Sequence, residues 1–433
     1  MDLTRQPPRR PSNANVGGIT GLARMIDKAR GHNSERIGEF KYGAISGLDV
    51  EVLEFINMGV DEFAEAVEEM DDKALGVLVV EKANKSQDEL DAYNKEHLER
   101  EPQDPLHEQL LLERVAKFAP GRTDITTVFA SIELDDWGAF RDLDLTAQPP
   151  RSPYVRSVFG LVAAARMADK ARAVTIDKLG DYRYGSDSSL DLAILDFIGV
   201  DQEAFREAAY ANPNDVELSE WIAERCDKPA AAKSRFNVER ASVGRYGEMA
   251  ERLAVRRAEV APERGDIETF FDLQDLDDEQ SFGRMDLSRH APRSPFDLSV
   301  GGMACLARVI DKFRASNCNC MGEYWCGEDS GFDRAVLEFL GVSQEEFVGA
   351  VAENGTDEAM VAWLGDRLGG KSDAEKAEFS DRILSYGPGN DQAWAFLRGA
   401  ISRIDSSRTD IETFSALTLL DDKVFFARFK AGV

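Results

Sequence analysis

The sequence predicts a mainly α fold: three homologous small helical domains in tandem, each with an extended proline-rich N-terminal arm and a short aromatic loop or strand. Three observations carry this. The phrases DLTRQPPRRP, DLTAQPPRSP and DLSRHAPRSP begin at Asp2, Asp144 and Asp286, two equal steps of 142 residues. A second phrase keeps that register: ARMIDKAR from Ala23, ARMADKAR from Ala165 and ARVIDKFR from Ala307. Each unit also closes alike, with TDITTVF, GDIETFF or TDIETFS followed by Leu-Asp-Asp. Such a period exceeds a solenoid unit and suits a complete small domain. The predicted domains are 1–142, 143–284 and 285–433.

Within a unit the elements follow from local chemistry. Proline restricts itself and its predecessor, so the opening arm is extended or turned. A helix is predicted over Gly18–Arg30, with Leu22, Met25, Ile26 and Ala29 as its apolar stripe. The third copy repeats the stripe as Leu306, Val309, Ile310 and Phe313, and the second is weaker, with Ala168 in place of Ile26. GEFKYG, GDYRYG and GEYWCG, framed by glycine, read as a loop or brief strand. A second helix carries Val52–Phe55, Ile194–Phe197 or Val336–Phe339 and stops near Gly-Val. A third starts at a carboxylate-rich stretch, which suits a helix N-terminus. The middles match poorly, although Trp221 and Trp363 stay in register; HEQLLLERVAKF and YGEMAERLAVRRAEV read as amphipathic helices. In the closing segment, Asp124 and its equivalents Asp266 and Asp410 read as helix caps.

Composition narrows the function classes. With 52 Lys and Arg against 80 Asp and Glu, the formal charge of the 433-residue chain is −28. That field opposes nucleic acid and anionic membrane surfaces. No apolar run approaches the roughly 18 residues of a membrane helix, MDLTRQPPRRPS lacks the apolar stretch of a signal peptide, and five scattered cysteines make no disulfide framework. A cytoplasmic protein is expected. There is no P-loop, G-x-G-x-x-G, H-E-x-x-H or G-x-S-x-G pattern, and none of the four histidines repeats between units. No cofactor or metal is expected. Cys305, Cys318, Cys320 and Cys326 cluster in the third unit, but C-x-C-x5-C is an uncommon zinc spacing and the other units build the same loop without sulfur.

The wording DL-x4-PRSP, RMIDKAR, GEYxYG and LLEFLG, with a closing TDI-x-T segment, resembles a bacterial domain family of unknown function, met here three times over. The resemblance supports the boundaries and implies no activity. The chain departs from it at Arg10, where the other units have Ser152 and Ser294, and at Cys326, where they have Tyr42 and Tyr184. In PRSP a turn with a local hydroxyl hydrogen bond is the ordinary reading for both serines.

The repeated polar residues are the candidate site. Arg24, Asp27 and Lys28, with Arg166, Asp169 and Lys170 and with Arg308, Asp311 and Lys312, lie one turn apart on a helix. Arg9, Arg151 and Arg293 in the arms fold back beside them, and Phe40, Tyr182 and Tyr324 wall the same place. Two guanidiniums and an ammonium would hold a carboxylate or phosphate. A buried structural ion network and a solvated surface are the competing readings. The expectation is a non-enzymatic binding or scaffold protein that recognises a small anionic ligand or a protein partner. The alternative is an enzyme on a small carboxylate- or phosphate-bearing metabolite, with Arg and Lys as clamp and Asp or Tyr as acid–base. The array is also compatible with pseudo-threefold symmetry. A ligand site requires exposed polar heads around a concavity; a scaffold requires them buried and satisfied by one another.

Overall fold

The computed structural model describes residues 1–261, 264 and 267–432, the side chain of Asp366 excepted. Among them are twenty-one α-helices and no strand, seven helices to each repeat. Repeat 1 holds α1 (Leu22–Asn33), α2 (Gly47–Phe55), α3 (Val60–Glu69), α4 (Asp72–Ala83), α5 (Gln87–Glu99), α6 (Pro105–Phe118) and α7 (Val128–Phe140). Repeat 2 holds α8 (Ala164–Thr175), α9 (Ser189–Ile198), α10 (Gln202–Ala211), α11 (Asp215–Ala223), α12 (Ala230–Ala241), α13 (Glu248–Val260) and α14 (Phe270–Phe282). Repeat 3 holds α15 (Leu306–Asn317), α16 (Gly331–Leu340), α17 (Gln344–Glu353), α18 (Asp357–Gly369), α19 (Asp373–Leu384), α20 (Asp391–Asp405) and α21 (Phe414–Ala431). The chain forms two compact units, residues 1–151 with 155–234 and residues 152–154 with 235–433, so repeat 2 contributes to both.

The first helix of each repeat lies at the centre of its core. Leu22, Met25, Ile26 and Ala29 of α1 pack with Val52, Leu53, Phe63, Leu75 and Val79. Leu306, Val309, Ile310 and Phe313 of α15 pack with Val336, Phe347, Met360, Leu364 and Phe379. The last two helices of repeat 3 close a smaller cluster of Leu397, Ile401, Ile411 and Leu420. Because α1 is buried on its polar face as well, Arg24, Asp27 and Lys28 are interior residues.

Two expectations need correction. The first helix starts at Leu22, not Gly18, because Gly17, Gly18 and Gly21 take left-handed φ values of 63°, 71° and 81°. Ala163 and Cys305 hold the same left-handed position before α8 and α15. The closing helices are capped by Thr127, Thr269 and Thr413, whose side chains accept from Ala130, Asp272 and Ala416 N–H. Asp124 and Asp410 pair instead with Arg122 and Arg408 on the surface, and Asp266 lies outside the described residues. The isoleucine that follows Asp266 and Asp410 is buried, as Ile267 and Ile411, and the helix starts only after the threonine.

The aromatic segment is a loop, closed by a 3-10 turn at Gly43–Ile45, Gly185–Asp187 or Gly327–Asp329. Its first glycine is required twice over. Gly38, Gly180 and Gly322 have φ near +60°, and a Cβ there would meet the carbonyl oxygen of Leu3, Leu145 or Leu287 at 3.0, 3.2 or 2.6 Å. Those leucines are pinned by their own N–H groups to the carbonyls of Arg36, Lys178 and Cys320, at 2.8, 2.9 and 2.8 Å.

Candidate functional site

One turn of the first helix gathers four other segments of its repeat. Asp27 takes the arm: its carboxylate accepts the Arg9 backbone N–H at 2.8 Å, Nε at 3.0 Å and Nη2 at 2.8 Å. Asp169 holds Arg151 and Asp311 holds Arg293 in the same three-point way. Burial works against each guanidinium, yet the facing carboxylates win and push Arg9, Arg151 and Arg293 above their ordinary range.

The helix arginine takes the closing helix. Arg24 Nη1 bonds Asp136 of α7 at 2.5 Å and the Arg9 carbonyl at 3.4 Å. Arg308 Nη1 bonds Asp422 of α21 at 2.7 Å and the Arg293 carbonyl at 3.2 Å. Arg166 reaches the Arg151 carbonyl at 3.1 Å. Each guanidinium also lies over the loop aromatic, 5.6 Å from Phe40, 5.3 Å from Tyr182 and 5.4 Å from Tyr324. Tyr324 donates its hydroxyl to Asp422 at 2.8 Å, sharing that acid with Arg308.

The lysine takes the aromatic loop and the second helix. Lys28 Nζ donates to the Lys41 carbonyl at 3.0 Å, Ser46 Oγ at 3.1 Å and Asp49 at 2.5 Å. Lys170 bonds the Arg183 carbonyl and Asp191; Lys312 bonds the Trp325 carbonyl, Ser330 and Asp333. The same acid accepts the backbone N–H of the loop's last glycine: Gly43, Gly185 or Gly327. Desolvation pulls Lys28 down to about 8 and lowers Lys312, with Asp49 and Asp333 opposing it.

The structure therefore brings all the sequence-derived site residues together, and it adds their carboxylate partners. Asp49, Asp191 and Asp333 were signalled by a repeated Ser-x-x-Asp, and Asp136 and Asp422 by the last acid of Leu-Asp-Asp. The second acid on the arm arginine, Asp72, Asp215 or Asp357, starts the fourth helix. The last arginine of the phrase ties to the same place: Arg30 to Asp72 at 2.7 Å and Arg314 to Asp357 at 2.9 Å. Arg172 instead bonds the carbonyls of Ala209, Asn212 and Pro213.

Repeat 2 is covered at this edge by the arm of repeat 1. Asn214 Nδ2 donates to the Pro7 carbonyl at 2.8 Å, Asp215 N–H to Gln6 Oε1 at 2.8 Å, and Arg10 N–H to Glu217 at 2.9 Å. Asp215 is thus 2% exposed, against 33% for Asp72 and 31% for Asp357. Arg10, the odd residue among the arms, meets Glu217, where the other two repeats have Ala74 and Ala359. Ser152 bonds Asp275 at 2.7 Å and accepts from Tyr154 N–H, and Ser294 accepts from Phe296 N–H, both in the expected local turn.

Among the described residues, no three His, Cys, Asp or Glu side chains converge to hold a metal ion, and no helix is long and apolar enough to cross a membrane. One family model, described as a domain of unknown function (DUF5069), matches residues 5–137, 147–280 and 289–424. No curated protein matches the chain.

Proposed function

The chain belongs to the DUF5069 family in three tandem copies, and from that premise we propose a non-enzymatic binding or scaffold protein whose polar clusters fasten each repeat from within. One observation carries the reading. The cationic heads of the cluster are buried, Arg293 excepted at 24% exposed, and each described bond they make runs to a carboxylate, hydroxyl or carbonyl of this chain, as Arg308 does to Asp422 and Lys312 to Asp333. A buried ion pair of this quality resists displacement, because an incoming anion gains only what the internal carboxylate gives up. Partners are then met by the repeat surfaces that the clusters hold in place. A reducing cytoplasm, in keeping with five free cysteines, belongs to the same proposal.

A second reading keeps Arg9, Arg24, Lys28 and their equivalents as receptors for a small carboxylate or phosphate, under the aromatic roof of Phe40, Tyr182 or Tyr324. It is favoured by Asp136, whose carboxyl is pushed up by burial against the pull of Arg24, so that the closing-helix acid is the anion easiest to replace. Catalysis on such an anion, with Tyr324 or Asp311 as acid–base, is its enzymatic form.

The test is Arg308→Met combined with Asp311→Asn, followed by thermal melting and by calorimetric titration with phosphate and with a dicarboxylate. The scaffold reading expects a lower melting temperature and no heat of binding in either protein. Binding by the parent that the variant loses at unchanged melting temperature overturns it.

A further inference from the structure

One turn shared by all three repeats is written in sulfur only in the third. After α15 the chain reverses through Cys318, Asn319 and Cys320, with Asn319 left-handed at φ 55°. The Cys320 carbonyl then accepts the Leu287 N–H at 2.8 Å, the bond that anchors the start of the arm. Repeats 1 and 2 make the same turn through left-handed Glu35 and Asp177, flanked by Ser34 and Arg36 or by Ile176 and Lys178. The fold therefore has no need of thiols at this place.

The turn brings the two cysteines close enough for the Cys320 side chain to bond the Cys318 thiol. A fully extended chain separates residues two apart by about 7 Å between Cα atoms, and a reversal shortens this into the roughly 4.4–6.8 Å that a disulfide spans. Cys320 Sγ lies 3.2 Å from the Cys318 carbonyl oxygen, and Cys318 Sγ lies 3.3 Å from the Met285 carbonyl and 3.4 Å from that of Ala315. Both residues are half-exposed, whereas Cys226 and Cys305 are buried. A hydrogen bond from Cys320 holds the Cys318 thiol below its ordinary range, while burial pushes Cys305 and Cys326 up to about 12. Among these three, the thiolate that attacks a disulfide is therefore most available at Cys318.

We propose that Cys318 and Cys320 are a vicinal dithiol that oxidises reversibly to an intramolecular disulfide against a low-molecular-weight disulfide, with Cys318 attacking and Cys320 resolving. The Cys318 thiolate attacks one sulfur of the small disulfide; the S–S bond breaks and one small thiolate leaves. Cys320, its proton lost to solvent, then attacks Cys318 Sγ and expels the second small thiolate. Two electrons pass from the protein pair, and one small disulfide becomes two thiols. A bridge confined to so small a ring and half-open to solvent belongs with the readily reduced disulfides. Since Cys320 also carries the bond to Leu287, the oxidation state is felt where repeat 3 begins.

The full chain is treated with one equivalent of dithiobis(nitrobenzoate). The parent is expected to release two thionitrobenzoates per protein and retain none, because the second cysteine displaces the first adduct. Cys320→Ser should release one and retain one on Cys318. Cys318→Ser, which installs the residue of repeat 1, should leave the remaining pair chemistry silent. Peptide mapping after oxidised glutathione should find a 318–320 bridge that reduced glutathione removes. An adduct retained by the parent, first reaction at another cysteine, or a bridge that includes Cys326 would each overturn the assignment; the parent stoichiometry decides even where a variant folds poorly.

Discussion

Replacing Asp169 by asparagine removes the carboxylate that accepts Arg151 backbone N–H, Nε and Nη2 at 2.8, 2.9 and 2.8 Å. The amide keeps one acceptor oxygen and turns an N–H₂ towards cationic donors. Arg151 is only 8% exposed and keeps Asp215, itself covered by the arm of repeat 1. Leaving a buried charge short of its partner costs about 3–5 kcal/mol. Asp311→Asn makes the same cut in repeat 3, where Arg293 is 24% exposed and Asp357 is open to water. Solvent compensates there, and about 2 kcal/mol is expected. With a urea slope of about 2 kcal/mol per molar, the local transition should fall by about 2 M for Asp169→Asn and about 1 M for Asp311→Asn. Three repeats need not unfold in one step, so the readout is hydrogen exchange along α8 and α15 during the titration. The paired change Arg151→Met with Asp169→Leu should not recover the loss, because it strands the buried Asp215 carboxylate; adding Asp215→Asn should recover part of it. Shifts below about 0.2 M in both single variants, or the larger shift in repeat 3, would refute the reasoning.

Other expectations come from neighbouring contacts. His290 bonds Glu279 at 2.6 Å and the Ala291 carbonyl, and Glu279 outweighs burial to bring its pKa up to about 9. A raised folded pKa contributes stability that is complete below the unfolded value of about 6.5 and lost as pH rises through 9; melting temperature should fall across that window, and His290→Gln, the residue of the other arms, should flatten the profile. Arg10→Ser takes the facing charge from the buried Glu217 carboxylate, which keeps the backbone N–H of residue 10, and should cost about 1 kcal/mol, whereas Glu217→Ala leaves a solvated Arg10 and should cost less; denaturation of both single variants and the pair checks the asymmetry. Gly322→Ala puts a Cβ 2.6 Å from the Leu287 carbonyl at positive φ, while Gly341→Ala meets open space at similar φ. The first should lose well over the roughly 1 kcal/mol expected of the second in thermal melts.

Much of this was legible in the sequence, and the exceptions have physical reasons. Repeat period, helix order and the convergence of Arg9, Asp27 and Arg24 follow from residues that kept both type and spacing. Apolar periodicity carries the first helix back to Gly18 because it does not register the left-handed backbone at Gly18 and Gly21. Asp124 reads as a cap because Thr-Asp and Thr-Thr look alike as helix starts; the helix begins after Thr127, and Asp124 pairs with Arg122 on the surface. Asp72 escaped because repeat 1 has one residue fewer before it: the arm arginine precedes this acid by 63 positions in repeat 1 and by 64 in the others. The pairing of Arg10 with Glu217 was half visible, as an arm arginine out of pattern, but its partner lies in the poorly matched middle of repeat 2. Whether the cluster would be open or consumed by its own acids could not be read from spacing, since it depends on where the closing helix comes to rest.

A double-mutant cycle on Arg308 and Asp422 tests most directly whether the first helix fastens the closing helix of its repeat. The two side chains meet at 2.7 Å and both are buried. Hydrogen exchange of α21 and of the arm at Arg293 is measured in Arg308→Met, in Asp422→Leu and in the pair. The predicted result is faster exchange in each single variant and recovery of most of the protection in the double, with a coupling of about 3 kcal/mol. Additive losses, or protection of α21 unchanged in the single variants, would contradict it.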